Sequence, residues 1–81
     1  MAESYDTDKV DEAVLALLHL NAFGLHGVTR AWKGFDWDAL DRLHARGLIS
    51  DPRSKARSVV FSDEGSRLAE ELFREQFMAS A

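Results

Sequence analysis

The chain has 81 residues, a formal net charge of -4 and no cysteine, and 46% of its residues are hydrophobic while 30% are charged. This length fits one domain, this composition is globular rather than disordered, and the lack of cysteine excludes disulfides and thiolate metal sites. No apolar run is long enough to span a membrane and the N-terminus is acidic, so we expect a cytoplasmic protein without membrane contact.

The first predicted element is a helix that is capped by Asp8 and runs to about Phe23. Its apolar residues recur at helical spacing from Val10 to Leu18 and form a wide arc. A helix this apolar is normally covered on more than one side. We therefore expect it to be the central helix and, with the C-terminal helix, to form a homodimer contact. The preceding residues 1–7 are predicted to be disordered or extended.

The pattern of the first helix breaks at Gly24. Residues 27–33 are predicted to form a short helix with Val28, Ala31 and Trp32 facing inward. A tight turn then leads into the next helix.

The third predicted helix is bounded by clear local signals. Asp36 is a good N-cap, and the helix is expected to end near Arg46 with Gly47 at the C′ position. Leu40 and Leu43 form its buried face.

A hairpin and a last helix complete the predicted chain. Residues 48–50 and 58–61 read as two strands joined by a basic, proline-marked turn, and Ser62 caps a helix that reaches Phe77. The order is helix, short helix, helix, β-hairpin wing and C-terminal helix. It predicts an α+β fold, a single winged-helix domain over residues 8–78.

Three segments in the second half of the chain form a recurring pattern: Leu40-Asp-Arg-Leu43, Arg46-Gly-Leu-Ile49 and Val60-Phe-Ser-Asp-Glu-Gly65. Through them this half of the chain resembles the back half of MarR-type and PadR-type winged-helix regulators. In those families a recognition helix runs into a Gly-Leu-Ile strand, a basic wing and a glycine-containing start of the final helix. The resemblance covers residues 36–77 and implies a winged helix, with DNA as the partner that the fold suggests.

The whole chain also resembles a family of short bacterial proteins that carry a domain of unknown function. This resemblance is centred on Arg30-Ala-Trp-Lys-Gly-Phe-Asp-Trp37. It implies no activity.

Positive charge is concentrated in the middle of the chain, where residues 24–35 and 48–61 each carry +2. On DNA, the wing would contact phosphates and Arg42 would read bases, and five phosphate contacts would give a salt slope of about -4 to -5. The alternative is that the wing cations protect an exposed strand edge. The candidate nucleic-acid-binding residues are Arg30, Lys33, Arg42, Arg46, Arg53, Lys55 and Arg57.

An acidic helix face and a cluster of aromatic residues are the candidate contacts for a protein partner; the alternative is a solvated, salt-bridged helix face and a cluster that belongs to the core. Asp38 can pair with Arg42 on the third helix, and carboxylates in the major groove would oppose DNA binding. The aromatic cluster of Trp32, Phe35 and Trp37 could form a protein hot spot, a platform for a base, or a plug that closes the core. The candidate protein-interaction residues are Trp32, Trp37, Asp38 and Asp41.

Catalytic chemistry has no signal in the sequence. The three histidines have no ligand spacing, and no nucleophile–base set, phosphate loop or nucleotide fingerprint is present. We therefore expect no catalytic residues, no metal and no cofactor, and a protein that is not an enzyme. Two functions stay open: a small DNA-binding or transcription-associated protein, and a winged-helix module that binds another protein.

Overall fold

The computed structural model describes residues 4–25 and 28–78. Their fold is α+β, as predicted. Of the segment 1–7, residues 1–3 lie outside the described range, residues 4–6 precede the first helix without regular structure, and residue 7 begins it. The elements are α1 (Thr7–Leu20), β1 (Ala22–Leu25), β2 (Val28–Trp32), α2 (Trp37–Ala45), β3 (Ser58–Val60) and α3 (Asp63–Phe77).

Helix α1 is capped two residues earlier than predicted and ends earlier too. The cap is Asp6, whose Oδ1 accepts hydrogen bonds of 3.0 and 3.2 Å from the backbone N–H groups of Asp8 and Lys9. The helix ends at Leu20 rather than near Phe23, because the residues that follow enter strand β1.

Residues 28–32 form strand β2, so the predicted short helix is wrong; the first residue of that predicted helix lies outside the described range. The first two residues of β2 are β-branched, which favours extended backbone, and a seven-residue helix is marginal in water. As the central strand, β2 has backbone partners on both sides. Among residues 22–25 and 28–36, between α1 and α2, there is no helix.

The sheet has the order β1-β2-β3 and is antiparallel throughout. Arg30 on β2 pairs with Phe23 on one side and Val60 on the other, while Ala31 pairs with Val59. Ala31 and Val59 are fully buried. Because paired residues share a face and neighbours alternate, Phe23, Arg30 and Val60 lie on the opposite, outer face. The helices cover the inner face only.

Helix α2 agrees with the prediction. Asp36 Oδ2 accepts a 3.1 Å hydrogen bond from the backbone N–H of Ala39, and Leu40 and Leu43 are fully buried. Gly47 follows with a φ of 75°, a left-handed conformation that glycine adopts without a steric penalty.

The predicted wing is only partly a hairpin. Its first strand, residues 48–50, is reduced to one bridge between Ile49 and Phe61. Residues 52–57, which connect this bridge to β3, form turns and bends. The predicted Ser62 cap of α3 is confirmed, since its Oγ accepts a 2.9 Å hydrogen bond from a backbone N–H in the first turn.

One core joins the three helices to the inner face of the sheet. Helix α1 packs against α3, α2 and β2. No helix of the described chain has both the length and the apolar character that crossing a membrane requires. The larger core residues are Val14, Leu15, Leu18, Leu40, Leu43, Leu48, Ile49, Val59, Phe61 and Leu72.

Candidate functional site

The outer face of the sheet is an aromatic surface that no helix covers. We call Phe23, Arg30, Trp32, Ser58 and Val60 the sheet surface. Trp32 is 57% exposed, although its ring centroid lies 5.1 Å from that of Phe23. The sequence predicted that Trp32 faces the core, and this prediction is wrong. Trp32 lies on β2, where neighbouring side chains point to opposite faces, so it points away from the face on which Ala31 is buried.

Arg30 is fixed at the centre of the sheet surface. Its Nε donates a 2.8 Å hydrogen bond to Oγ of Ser58, which is buried. The guanidinium therefore lies along the sheet and contributes positive charge to an otherwise apolar surface.

Trp37 occupies a different environment, at the start of α2. Its ring is 48% exposed and lies 5.8 Å from Lys33 Nζ and 5.4 Å from Arg53 Cζ. Both distances are within the range of a cation–π contact. Lys33 and Trp32 are neighbours at the end of β2, so their side chains point to opposite sides. The predicted aromatic cluster is thus divided, with Phe35 packed against the core.

Lys33 holds the loop 51–57 against the body of the protein. Its Nζ donates hydrogen bonds of 2.6 Å to the carbonyl of Pro52 and 2.8 Å to that of Ser54. Pro52 is fully buried. Lys33, predicted to contact phosphate, therefore already has two acceptors within the chain.

Arg42 connects α2 to α1. Its guanidinium donates three hydrogen bonds to the carboxylate of Asp11, which is 2% exposed. The hydrogen bonds that Arg42 donates to the Asp11 carboxylate raise the pKa of Arg42. The sequence suggested Asp38 as its partner, but Asp38 is exposed and the strong pairing is with the buried carboxylate.

Arg53 folds back onto the acidic face of α2. Its Nη2 and Nε donate to the two carboxylate oxygens of Asp41 at 2.8 and 3.2 Å. The hydrogen bond from Arg53 lowers the pKa of Asp41, and the same pairing raises the pKa of Arg53. The loop and the helix face thus neutralise each other where the sequence suggested two independent surfaces.

The other predicted basic residues point outward. Arg46 ends α2, and Lys55 and Arg57 lie in the loop 51–57; all three are exposed. Within the described residues, their side chains make no hydrogen bond and no ion pair. The structure therefore separates the seven candidate cations into four with a partner and three without one among the described residues.

A smaller apolar patch lies where α1 and α3 end. Leu20, Phe77 and Met78 are 62%, 46% and 55% exposed. His19 lies 5.4 Å from Phe73, which lies 5.8 Å from Phe77, measured between ring centroids. The rest of the α1 arc, from which we predicted a dimer contact, packs inside the chain.

Sequence reasoning missed Phe23, Ser58 and Asp11. Phe23 was assigned to the end of a helix, although two short apolar runs separated by two residues are a hairpin signal. Asp11 lies at helical spacing from Val14 and Leu18, and a charged residue inside an apolar arc indicates a buried partner. In the described part of the chain, no three His, Asp or Glu side chains converge as a metal site would require.

These features define a small α+β domain with three helices, a three-stranded antiparallel sheet and one open sheet face. Residues 6–79 match the family described as Domain of unknown function (DUF6429), and the chain belongs to this family. The resemblance to a family with a domain of unknown function is thereby confirmed.

A relative from Sinorhizobium fredii (strain NBRC 101917 / NGR234), "Uncharacterized protein y4hR", is 60% identical over 72 residues. The match covers 89% of this chain and 93% of the relative. No solved structure matches the chain significantly.

Proposed function

We propose that the protein is a non-enzymatic winged-helix-like module that binds another protein through the sheet surface. The observation that carries this proposal is Trp32, which is 57% exposed on an open sheet face and stacks on Phe23. Tryptophan and arginine are the residues most enriched in protein–protein hot spots, and the sheet surface contains both.

The physical argument is one of preorganisation. The Phe23 ring supports one side of Trp32, and Ser58 fixes Arg30, so both side chains lose little freedom when a partner binds. A half-exposed indole leaves a large apolar area that a partner could bury. Arg30 is the charged group of the sheet surface, so we expect a partner that is mainly apolar and places an acidic group opposite Arg30.

The scaffold supports a protein partner over DNA. Helix α2, the Ile49–Phe61 bridge, β3 and α3 are compatible with the second half of a winged helix. Strand β2 stands where the first helix of a helix-turn-helix would cross the DNA backbone. Arg42, the only base-reading candidate at the centre of α2, is held by Asp11.

Affinity capture with matched variants tests this proposal. The wild type, Trp32→Ser and Leu20→Ser are immobilised and exposed to lysate of the source organism, after circular dichroism has established equal folding. Leu20 is 62% exposed on α1, so Leu20→Ser controls for the loss of an exposed apolar side chain. We expect proteins that are retained by the wild type and Leu20→Ser but lost with Trp32→Ser. Equal retention by Trp32→Ser would contradict the proposal.

DNA binding is the second candidate function. The observation in its favour is that Arg46, Lys55 and Arg57 are exposed without a side-chain partner among the described residues. Three phosphate contacts would give a salt slope of about -2.7, weaker than the slope predicted for five contacts. Such binding would be non-specific, because none of these contacts reads a base.

Fluorescence anisotropy with a labelled duplex at several salt concentrations tests the second candidate. Arg67 is exposed on α3, so Arg67→Glu makes the same charge change as Arg57→Glu at a distant position. If DNA is the partner, Arg57→Glu weakens binding more than Arg67→Glu does. Equal affinities of the two variants, or no binding at low salt, would exclude this candidate.

A further inference from the structure

The two edges of the sheet differ. The edge at β3 is covered by the segment that contains Ile49. Ile49 forms a β-bridge with Phe61, and the Ser50 N–H donates a 2.8 Å hydrogen bond to the carbonyl of Val60. On the side of β1 that faces away from β2, no segment of the described chain pairs with the strand. Among the described residues, strand β1 is therefore a bare edge.

The register shows which backbone groups of β1 point outward. The carbonyl of Thr29 accepts a hydrogen bond from the strand on the β3 side. Because backbone groups alternate sides along a strand, those of the next residue, Arg30, point toward β1 and meet Phe23. The N–H and C=O groups of Ala22 and Gly24 are then directed away from the sheet.

Nothing in the sequence of β1 blocks this edge. Natural edge strands are commonly protected by charged side chains, proline or bulges. The strand Ala-Phe-Gly-Leu has none of these. A Cβ atom added to Gly24 would meet no atom within 4 Å, so a side chain at this position is sterically tolerated on the face of the sheet.

We infer that β1 pairs in antiparallel fashion with β1 of a second copy, around a two-fold axis at Phe23. Ala22 then faces Gly24 of the second copy, and each of the two such pairs exchanges two backbone hydrogen bonds. The two Phe23 rings meet across the axis on the outer face and extend the contact with Trp32 into one aromatic row. This inference goes beyond the proposed function and does not depend on it.

The lack of charge on β1 favours a second copy as the occupant. A two-fold contact places each side chain near its own equivalent, so a charged strand would repel itself, and β1 carries no charge. A charged foreign strand would find no complementary side chain on β1. Four residues bury far less than the roughly 1,200 Å² of a stable interface, so we expect a weak dimer with a dissociation constant of about tens of micromolar.

Sedimentation equilibrium from about 10 μM to about 500 μM tests the dimer in the wild type and two variants at one position. Gly24→Pro removes the outward N–H, which the β1–β2 pairing does not use, whereas Gly24→Ala keeps it and places its Cβ in open space. We expect Gly24→Ala to dimerise like the wild type and Gly24→Pro to weaken the dimer at least about tenfold.

A second comparison does not depend on proline. Phe23→Lys places two like charges at the two-fold axis of the β1 dimer. Phe77→Lys makes the same substitution on α3, where it would disrupt a dimer formed by α1 and α3 but not one formed by β1. We expect loss of the dimer with Phe23→Lys only. We also expect amide exchange of Gly24, but not of Phe23, to slow as the wild-type concentration rises, because the Gly24 N–H becomes paired in the dimer whereas the Phe23 N–H already points toward β2.

Three results would overturn this inference. One is a wild type that is monomeric at every concentration, whether or not it captures another protein. Another is equal dimerisation of Gly24→Pro and the wild type. The third is a dimer that Phe77→Lys abolishes and Phe23→Lys leaves intact, which would assign the contact to α1 and α3.

Discussion

The guanidinium of Arg42 donates three hydrogen bonds of 2.8–3.0 Å to the carboxylate of Asp11, 31 residues earlier in the chain. Asp11 is buried on α1, so this pairing fixes the position of α2 on the central helix. The pairing also engages Arg42, the side chain with which α2 would read the bases of DNA. The same pairing therefore bears on both stability and function.

We expect Arg42→Met to destabilise the fold, because it leaves the buried Asp11 carboxylate without its partner. The melting temperature should fall by roughly 10 °C in thermal unfolding followed by circular dichroism. Arg46→Met, at an exposed position one turn later, is the control and should change little. Adding Asp11→Leu to Arg42→Met should recover part of the loss, and failure to recover any would contradict a pairwise interaction.

The ion pair between Asp41 and Arg53 predicts a pH dependence. The hydrogen bond from Arg53 lowers the pKa of Asp41 from its ordinary value of 3.8. A carboxyl with a depressed folded-state pKa contributes stability that is present above pH 3.8 and lost as the pH falls through the lower value.

Carbon-detected NMR titration of the Asp41 carboxyl group measures this effect. We expect Arg53→Gln to move the midpoint back up toward 3.8, and Lys55→Gln, an exposed charge change in the same loop, to leave it nearly unchanged. An Asp41 midpoint that is the same with and without Arg53 would show that the pair does not form in solution.

Gly65 should not tolerate a side chain, although it lies in the first turn of a helix. An added Cβ would overlap the backbone carbonyl of Leu48. In most helices Gly→Ala stabilises by up to about 1 kcal/mol, but here we expect Gly65→Ala to destabilise by about 1–3 kcal/mol. Chemical denaturation measures the change, and Glu71→Ala, at an exposed position of α3, is the control. A stabilised Gly65→Ala variant would contradict the close approach of α3 to Leu48.

Lys33 should control the order of the loop 51–57. We expect Lys33→Met to speed amide exchange in this loop without changing exchange in α1, because Pro52 and Ser54 lose their common donor. Hydrogen exchange read by NMR gives both values. Lys55→Met, which removes an exposed ammonium in the loop itself, should leave exchange unchanged.

Local signals in the sequence predicted the second half of the chain well. The caps at Asp36 and Ser62 are each decided by a side chain and a backbone N–H three residues away, and the turn at Gly47 by the positive φ that glycine adopts. The hairpin of β1 and β2 was missed because a short run that contains glycine fits a helix end or a strand equally well. Pairing with β3, which is distant in sequence, selects the strand.

The candidate site was predictable in composition but not in arrangement. The sequence named the two tryptophans and the basic residues as candidates, yet it predicted that Trp32 faces inward, and it could not show that Asp11 and Asp41 hold two of those cations. Both pairs join residues far apart in the chain, and no periodicity encodes such contacts. The separation of Trp32 from Trp37 was missed for the same reason as the hairpin. Strand β2, where the sequence predicted a helix, sets the direction of the Trp32 side chain.

Site-specific photo-crosslinking in cells tests the central claim most directly, since it reports both the surface used and the class of partner. A photoreactive phenylalanine derivative replaces Trp32 on the sheet surface, Arg57 in the loop, or Glu71 on α3 as the control. We predict a protease-sensitive, nuclease-resistant adduct with another protein at position 32 and none at position 71. A nuclease-sensitive adduct at position 57, with none at position 32, would contradict the account and assign the protein to nucleic acid.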